Sequence, residues 1–156
     1  MVDIVDRPTR SRMMAAIRNK DTAPEVMVRS ALHRRGFRFR VHVAALPGTP
    51  DIVFSARRAV IVIHGCFWHG HGCHIFKWPS TRRRFWRNKI EGTRQRDATA
   101  TIALHKAGWR ILTIWECAFK GRFRHRETDV MEIVARWVAI GREDLELQGN
   151  NYGSAR

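Results

Sequence analysis

Three cysteines and the histidines among them are the residues of this chain with the clearest metal-binding chemistry. Cys66 and Cys73 lie in one glycine-rich loop with His71 between them, and Cys117 follows a predicted strand far downstream. An odd number of cysteines argues against a disulfide framework. Three thiolates and one imidazole would complete a tetrahedral zinc site. The spacing therefore predicts a structural zinc ion that ties the loop to the end of that strand, with three buried thiols as the alternative.

The histidine of this site is not fixed by spacing. His69 and His74 lie in the same loop as His71 and compete with it as the fourth ligand. Any of these imidazoles could supply a Zn–N bond. Sequence distance alone leaves all three open.

An aspartate and a histidine form a second candidate group. Asp51 opens one predicted strand and His64 closes the next. If the hairpin between them is centred between Arg57 and Arg58, the two side chains face each other with Cβ atoms about 5 Å apart. A carboxylate can hold magnesium while water and phosphate fill the other positions, and a histidine suits acid–base catalysis. The pair predicts phosphodiester hydrolysis, against the alternative of a turn aspartate and a surface histidine.

The charge of the chain indicates its partner. Of 156 residues, 29 are Lys or Arg and 14 are Asp or Glu, which gives a formal net charge of +15. A small protein this basic is expected to bind nucleic acid, although charge identifies no activity. Phosphate contacts would make binding fall steeply with salt. The residues expected to make them are Arg82, Arg83, Arg84, Arg87, Lys89, Arg94 and Arg96.

Hydrophobic spacing predicts the helices and strands that position these groups. Thr22-Ala-Pro-Glu25 matches a helix capping box, which by itself explains Glu25, and Gly36 suits the end of that helix near Arg35. Residues 59–63 are apolar throughout and predict a central strand. Other strands are predicted at 37–43, 51–54 and 109–115, and helices at 85–107 and around 130–138. The order α-β-β-β-α-β-α predicts an α/β fold, with a mixed central sheet flanked by helices.

The length predicts a single domain over residues 1–156. Residues 1–20 form a basic N-terminal segment with a short helix predicted over 11–20. Its Met13, Met14 and Ile17 would either add an apolar contact to DNA or pack on the core. Residues 141–156 are polar and are expected to form a flexible tail. No apolar run reaches the roughly 20 residues of a membrane span, and the start lacks a signal-peptide pattern. We therefore expect a soluble intracellular protein with no membrane partner.

The stretch His64-Gly-Cys-Phe-Trp-His69, followed by His71 and Cys73, resembles the signature of the very-short-patch-repair (Vsr) DNA mismatch endonucleases. Similar segments flank it, from Leu46-Pro-Gly-Thr-Pro-Asp51 before the strand pair to Trp115-Glu-Cys117 at the end of the core. The likeness covers roughly residues 7 to 140. It implies a fold like that of the type II restriction endonucleases. It also implies a bacterial-type, nucleoid-associated enzyme that nicks DNA 5′ of the thymine in a T·G mismatch left by deamination of 5-methylcytosine.

The resemblance also assigns residues. Asp51 and the main-chain carbonyl of Ile63 would bind magnesium, His64 would act as the base, and His69 and Glu25 would assist. The zinc ligands would be Cys66, His71, Cys73 and Cys117, which selects His71 among the three histidines. Aromatic residues that wedge beside the mismatch would be Phe67, Trp68 and Trp86, and both tryptophans have sequence contexts that favour exposure. Further DNA contacts are expected from Met14, Arg84 and Lys89.

Two departures from related patterns stand out. The wider nuclease superfamily has a PD…(D/E)xK motif, which would place an acid at Val62 and a lysine at His64; the Vsr family also departs there. Ile63 stands where the resemblance would place a threonine, a change that a main-chain carbonyl ligand tolerates.

Two other functions fit the same residues. One is a restriction-type endonuclease that cuts both strands of matched DNA, and the other is a non-catalytic zinc module that only binds nucleic acid. The mismatch reading further predicts a monomer on double-stranded DNA, with a protein that coordinates mismatch repair as a possible second partner.

Overall fold

The computed structural model describes residues 21–150. The predicted N-terminal helix and the DNA contact of Met14 lie outside these residues. Three helices and five strands follow one another along the described chain, with short 3₁₀ turns at Ser55–Arg57 and Glu116–Ala118. The elements are α1 (Ala23–Arg34), β1 (Arg40–Val41), β2 (Ile52–Phe54), β3 (Ala59–His64), α2 (Arg83–Lys106), β4 (Arg110–Trp115), α3 (Glu127–Ile140) and β5 (Leu145–Leu147).

The five strands form one mixed sheet in the order β1-β2-β3-β4-β5. The first three strands pair antiparallel, whereas β3, β4 and β5 run parallel. The apolar strand β3 lies in the middle, and Ala59, Val60 and Ile61 are buried. The predicted mixed sheet with a central third strand is therefore confirmed.

Each face of the sheet has its own layer of helices, because alternate residues of a strand point to opposite faces. On one face, Val28 of α1 and Val134 of α3 pack with Ile61 of β3. On the other face, Leu104 of α2 packs with Val60. Within residues 21–150, none of these helices combines the length and apolar character needed to cross a membrane.

The first helix begins and ends as its sequence predicts. Thr22 is the N-cap, and its side chain accepts a hydrogen bond from the backbone N–H of Glu25 at 3.5 Å. At the other end, Gly36 has φ +89°, which glycine adopts without strain, and Phe37 N donates to Leu32 O at 3.1 Å. Local capping chemistry therefore sets both ends of α1.

The register of the β2–β3 hairpin differs from the prediction by two residues. Phe54 pairs with Ala59, because the turn is a 3₁₀ turn that ends at Arg58 in the left-handed conformation, φ +51°. Continued by one residue, this register places Asp51 opposite Val62 and diagonal to His64. The expected direct opposition of Asp51 and His64 is wrong, but both still lie on the sheet face that α2 covers, since a shift of two keeps the face.

Two further differences concern the outer strands. β1 is limited to two residues of the predicted 37–43 strand, because the chain turns at His42, where φ is +47°. At the opposite edge, Leu145–Leu147 forms β5 on β4, where we expected a flexible tail. Asp144 fixes the approach to β5, since its Oδ1 accepts a hydrogen bond from Ile111 N at 2.8 Å.

Candidate active site and metal-ligand cluster

Asp51 directly precedes β2 and is largely buried. Its Oδ2 accepts a hydrogen bond from Ile63 N at 2.7 Å, while its Oδ1 lies 3.9 Å from His42 Nδ1. Burial raises the pKa of Asp51 to about 6, partly offset by the Ile63 hydrogen bond and reinforced by the nearby Glu25 carboxylate. A cation at Oδ1 would favour the ionised carboxylate that burial disfavours, so this oxygen fits a metal ligand.

His64, at the end of β3, stacks on His69 with ring centroids 3.8 Å apart and planes 6° apart. Burial, together with the neighbouring His69, lowers the pKa of His64 to about 4, so its ring is neutral at pH 7. His64 Nδ1 is buried and makes no hydrogen bond within residues 21–150. The His64 ring therefore accepts a proton less readily than a free histidine, which does not favour the role of base expected for it from the sequence.

His69 is oriented by a residue that the sequence did not single out. Its Nδ1 lies 2.5 Å from Asp97 Oδ2, a carboxylate in the middle of α2. Because an ionised carboxylate only accepts, Nδ1 carries the proton and Nε2 has the free lone pair. The pair Asp97–His69 therefore presents a nitrogen that can take a proton from water. Asp97 is the only acidic residue between Glu91 and Glu116, which is the one signal that could have indicated it.

Glu25 lies near Asp51 through His42, a second residue that the sequence did not single out. Its carboxylate is buried and accepts a hydrogen bond from Asp21 N at 3.0 Å, one residue earlier than the capping box predicts. His42 Nε2 lies 3.4 Å from both Glu25 Oε2 and Asp21 Oδ1. Since the other nitrogen of His42 faces Asp51, this imidazole links the two buried carboxylates.

These residues gather at the end of β3. Asp51 is tied to this end of β3 by the hydrogen bond from Ile63 N, next to His64, and His64 stacks on His69. Carboxylates and imidazoles at one edge of a sheet can hold a divalent cation and move a proton, as phosphodiester hydrolysis requires.

A separate cluster brings three thiols to one histidine. His71 Nδ1 lies 3.6 Å from Cys66 Sγ and 3.6 Å from Cys117 Sγ, and the ligand atoms of the four residues, with Cys73, lie within 4.8 Å of one another. In a tetrahedral zinc site, bond lengths near 2.3 Å to sulfur and 2.1 Å to nitrogen put these atoms about 3.6 Å apart. The four residues fit a tetrahedral metal ion. His69 lies in the other cluster, with His64 and Asp97.

The surroundings of the cluster orient its ligands. His71 Nε2 lies 2.9 Å from Gln148 Oε1, so it carries the proton and Nδ1 faces the thiols. The same ring stacks on Trp115 at 4.0 Å, and Gly149 N donates to Cys117 Sγ at 3.3 Å. Burial raises the pKa of the Cys66 and Cys117 thiols, which a bound cation would offset by favouring the thiolates. Both Gln148 and Gly149 follow β5, so the segment predicted to be a loose tail completes the cluster.

Two aromatic residues of the loop after β3 pack against Trp86 of α2. Phe67 lies 5.2 Å from the rings of both Trp68 and Trp86, which lie 5.8 Å from each other. We expected both tryptophans to be exposed, and this expectation is wrong in degree: each is half-buried, because the three rings cover one another. Their unburied parts remain at the surface beside the histidine group.

The basic residues named from the sequence are all exposed, and one of them, Arg94, lines the same cavity as His64 and His69. A cavity of about 340 Å³ opens between α2 and the sheet, and His64, His69, Asp97 and Arg94 line it together with Trp115. Arg94 brings positive charge to the mouth of an otherwise histidine- and acid-lined cavity. An anionic ester entering there would meet the imidazoles with its phosphate near this guanidinium.

A mixed sheet with buried carboxylates and paired histidines at one edge, beneath a basic surface, defines the protein as a nuclease-type α/β domain. Comparison with known proteins then identifies the family. The family described as DNA mismatch endonuclease Vsr matches residues 2–75. The chain is 44% identical to the DNA mismatch endonuclease Vsr of Escherichia coli over 138 residues, and this aligned region is 88% of each chain.

Two nicking enzymes are also similar to the chain. The type II nicking enzyme V.XorIIP of Xanthomonas oryzae is 50% identical over 117 residues, 75% of this chain and 86% of the relative. V.NmeAIP of Neisseria meningitidis, also a type II nicking enzyme, is 40% identical over 127 residues, 81% and 91% of the two chains. The chain belongs to the Vsr DNA mismatch endonuclease family, and it is a DNA endonuclease with a restriction-endonuclease-like fold.

Replacing Asp97 by asparagine is expected to slow DNA cleavage by about 100-fold or more, because the neutral amide no longer fixes the His69 tautomer or balances a protonated ring. Single-turnover cleavage with saturating enzyme measures this step without binding. Glu91→Gln removes an exposed acid of the same helix and should leave the rate unchanged. Cleavage by Asp97→Asn within twofold of the parent would contradict an orienting role.

Proposed function

We propose that the protein nicks one strand of double-stranded DNA on the 5′ side of the thymine in a T·G mismatch. The observation that carries the proposal is that Phe67 and Trp68 directly precede His69 in the loop after β3, where Trp86 of α2 packs against both rings and His69 stacks on His64. A ring that enters a base step lies within reach of the group that would cleave the neighbouring phosphodiester. The relative from Escherichia coli is named for mismatch cleavage, which supports the same substrate.

In this mechanism Asp51 and the main-chain carbonyl of Ile63 would hold Mg²⁺, which supplies charge stabilisation at the phosphate. His69, oriented by Asp97, accepts the proton of the attacking water through Nε2. His64 stays neutral and stacks on His69, which holds that ring in place. His42 lies between the Glu25 and Asp51 carboxylates on the side of α1, 3.4 Å from Glu25 Oε2 and 3.9 Å from Asp51 Oδ1.

Zinc is the metal that the Cys66, His71, Cys73 and Cys117 cluster fits best, because three thiolates and one imidazole are a typical structural zinc set with no position left for a substrate. Its role would be mechanical. The ion would anchor this loop to the ends of β4 and β5. The loop would then keep its conformation when Phe67 and Trp68 enter the DNA.

Mismatch preference would come from the cost of wedging. Inserting rings between bases costs a few kcal/mol of unstacking, and the cost is least where pairing is already weak, as at a T·G wobble. The half-buried state of Trp68 and Trp86 supports this role, since rings that brace one another resist displacement by the DNA.

The proposal is tested by magnesium-dependent cleavage of two duplexes that differ only in one T·G or T·A pair. We expect one nick, 5′ of the mismatched thymine, and little cleavage of the T·A duplex. Trp68→Ala should lower the preference for T·G by about tenfold, because the ring contributes roughly 1–3 kcal/mol of stacking. Cuts in both strands of the matched duplex would instead support a restriction-type enzyme, and the absence of any cleavage would support a non-catalytic module.

A further inference from the structure

The aromatic cluster does not end at the three rings assigned to the wedge. Phe76 stacks 6.0 Å from Phe67, and Trp78 packs edge-on against Phe76 at 5.0 Å. Trp78 is 53% exposed, the largest exposure among the aromatic side chains in residues 21–150. A path of touching rings therefore runs from the wedge out to an open indole.

An arginine lies over this exposed ring. The Arg87 guanidinium is 6.0 Å from the centre of Trp78. The same arrangement recurs on the other side of the cluster, where Arg82 lies 4.2 Å over Phe85, a ring that is 43% exposed. Exposed rings paired with guanidinium groups offer flat faces and positive charge side by side, the combination that binds a base together with its phosphate.

The charge around Trp78 points to a polyanion. Residues 74–90 contain six Lys or Arg residues and no Asp or Glu. Lys77, directly before Trp78, is exposed, as is Arg87. An apolar protein partner would make no use of the positive charge and would need a broader apolar surface. A nucleic-acid strand matches both the ring and the charge.

We propose that Trp78, with Arg87, is a second base-stacking site that receives a nucleobase displaced from the duplex stack. The inference rests on the proposed function, because a wedge at Phe67–Trp68–Trp86 is what would unstack that base. Trp78 lies two rings beyond Phe67, so a base on it is one that has moved away from the wedge rather than the pair in contact with it.

The test compares Trp78→Ala, Trp78→Phe and Arg87→Gln for binding to a single-stranded oligonucleotide and to a T·G duplex, by fluorescence anisotropy over a series of salt concentrations. Trp78→Ala should weaken binding to both about tenfold with an unchanged salt slope, because stacking releases no counterions. Trp78→Phe should keep most of the affinity. Arg87→Gln should reduce the salt slope by about one.

The matched control is Ile140→Ala, which removes a 66% exposed apolar side chain from α3, on the opposite face of the sheet, and should change nothing. Wild-type affinity of Trp78→Ala for both DNAs, with an unchanged melting temperature, would overturn the stacking site. If the parent protein shows no preference for T·G over T·A but Trp78→Ala still weakens single-strand binding, the proposed function fails and the stacking site stands.

Discussion

Asp51→Asn is expected to abolish DNA cleavage and, at the same time, to stabilise the metal-free fold at pH 8. The carboxylate is buried beside Glu25, and its ionised form is disfavoured without a cation. Asparagine can still accept the hydrogen bond from Ile63 N through its amide oxygen, so the backbone contact at 2.7 Å survives. The substitution removes the negative charge that would bind the metal. Burial makes that same charge unfavourable when no metal is bound.

The pH dependence of this effect follows from the direction of the shift. The pKa of Asp51 rises from 3.8 in the unfolded chain to about 6 in the folded protein. Well below pH 4 both states are protonated and the penalty is absent. As the pH rises through 3.8 towards 6, the unfolded chain ionises first and the folded state loses relative stability. Above pH 6 the full penalty is about 3 kcal/mol, from a pKa difference of about 2.

Urea unfolding of the variant and the parent at pH 4 and pH 8, without magnesium and with the same zinc concentration for both proteins, measures the prediction. Asp51→Asn should be more stable than the parent by about 1–3 kcal/mol at pH 8, and this difference should shrink to about 0.5 kcal/mol at pH 4. Asp144→Asn is the matched control, because Asp144 also accepts a strand N–H, at 2.8 Å, but is 45% exposed. A less stable Asp51→Asn at pH 8, or one that still cleaves DNA, would contradict this account.

The parts of the fold that sequence predicts are those set by local chemistry. The Thr22 cap and Gly36 mark the ends of α1, and the unbroken apolar run of β3 marks the centre of the sheet. The Cys66, His71, Cys73 and Cys117 cluster is also foreseeable, because rare residue types at short spacing limit the alternatives. Apart from Cys117, the residues that carry each of these signals lie within a short stretch of the sequence.

The parts that sequence misses depend on tertiary contacts. The register of the hairpin depends on the left-handed backbone conformation of Arg58, which no glycine indicates in the sequence. β5 is only three residues long and forms by pairing in parallel with the edge of β4. Asp97 reaches His69 from the middle of a 24-residue helix, so its role depends on how α2 packs over the sheet. His42 likewise gains its role from a turn between strands.

Cys117→Ser is expected to release the metal ion and collapse the loop that carries the wedge. Cys66 and Cys117 are fully buried, and residues 65–82 form neither helix nor strand, so few backbone hydrogen bonds hold that segment without an ion. Cys117 is the only ligand from outside the loop, at the end of β4, so its loss detaches the loop from the sheet. A loss of about 4 kcal/mol would lower the melting temperature of a domain of this size by about 8–16 °C.

Metal content and melting temperature together separate ligation from packing. Ala118→Ser places the same hydroxyl in the next residue, which is equally buried, and should keep one equivalent of zinc. Cys117→Ser should hold none, and it should lose the absorption that Co²⁺ gives when thiolates bind it in place of zinc. Because Phe67, Trp68 and His69 lie in this loop, DNA cleavage should fall with metal content rather than with stability alone. Full zinc occupancy in Cys117→Ser would show that the thiols are packing groups and that the loop is held by its aromatic contacts.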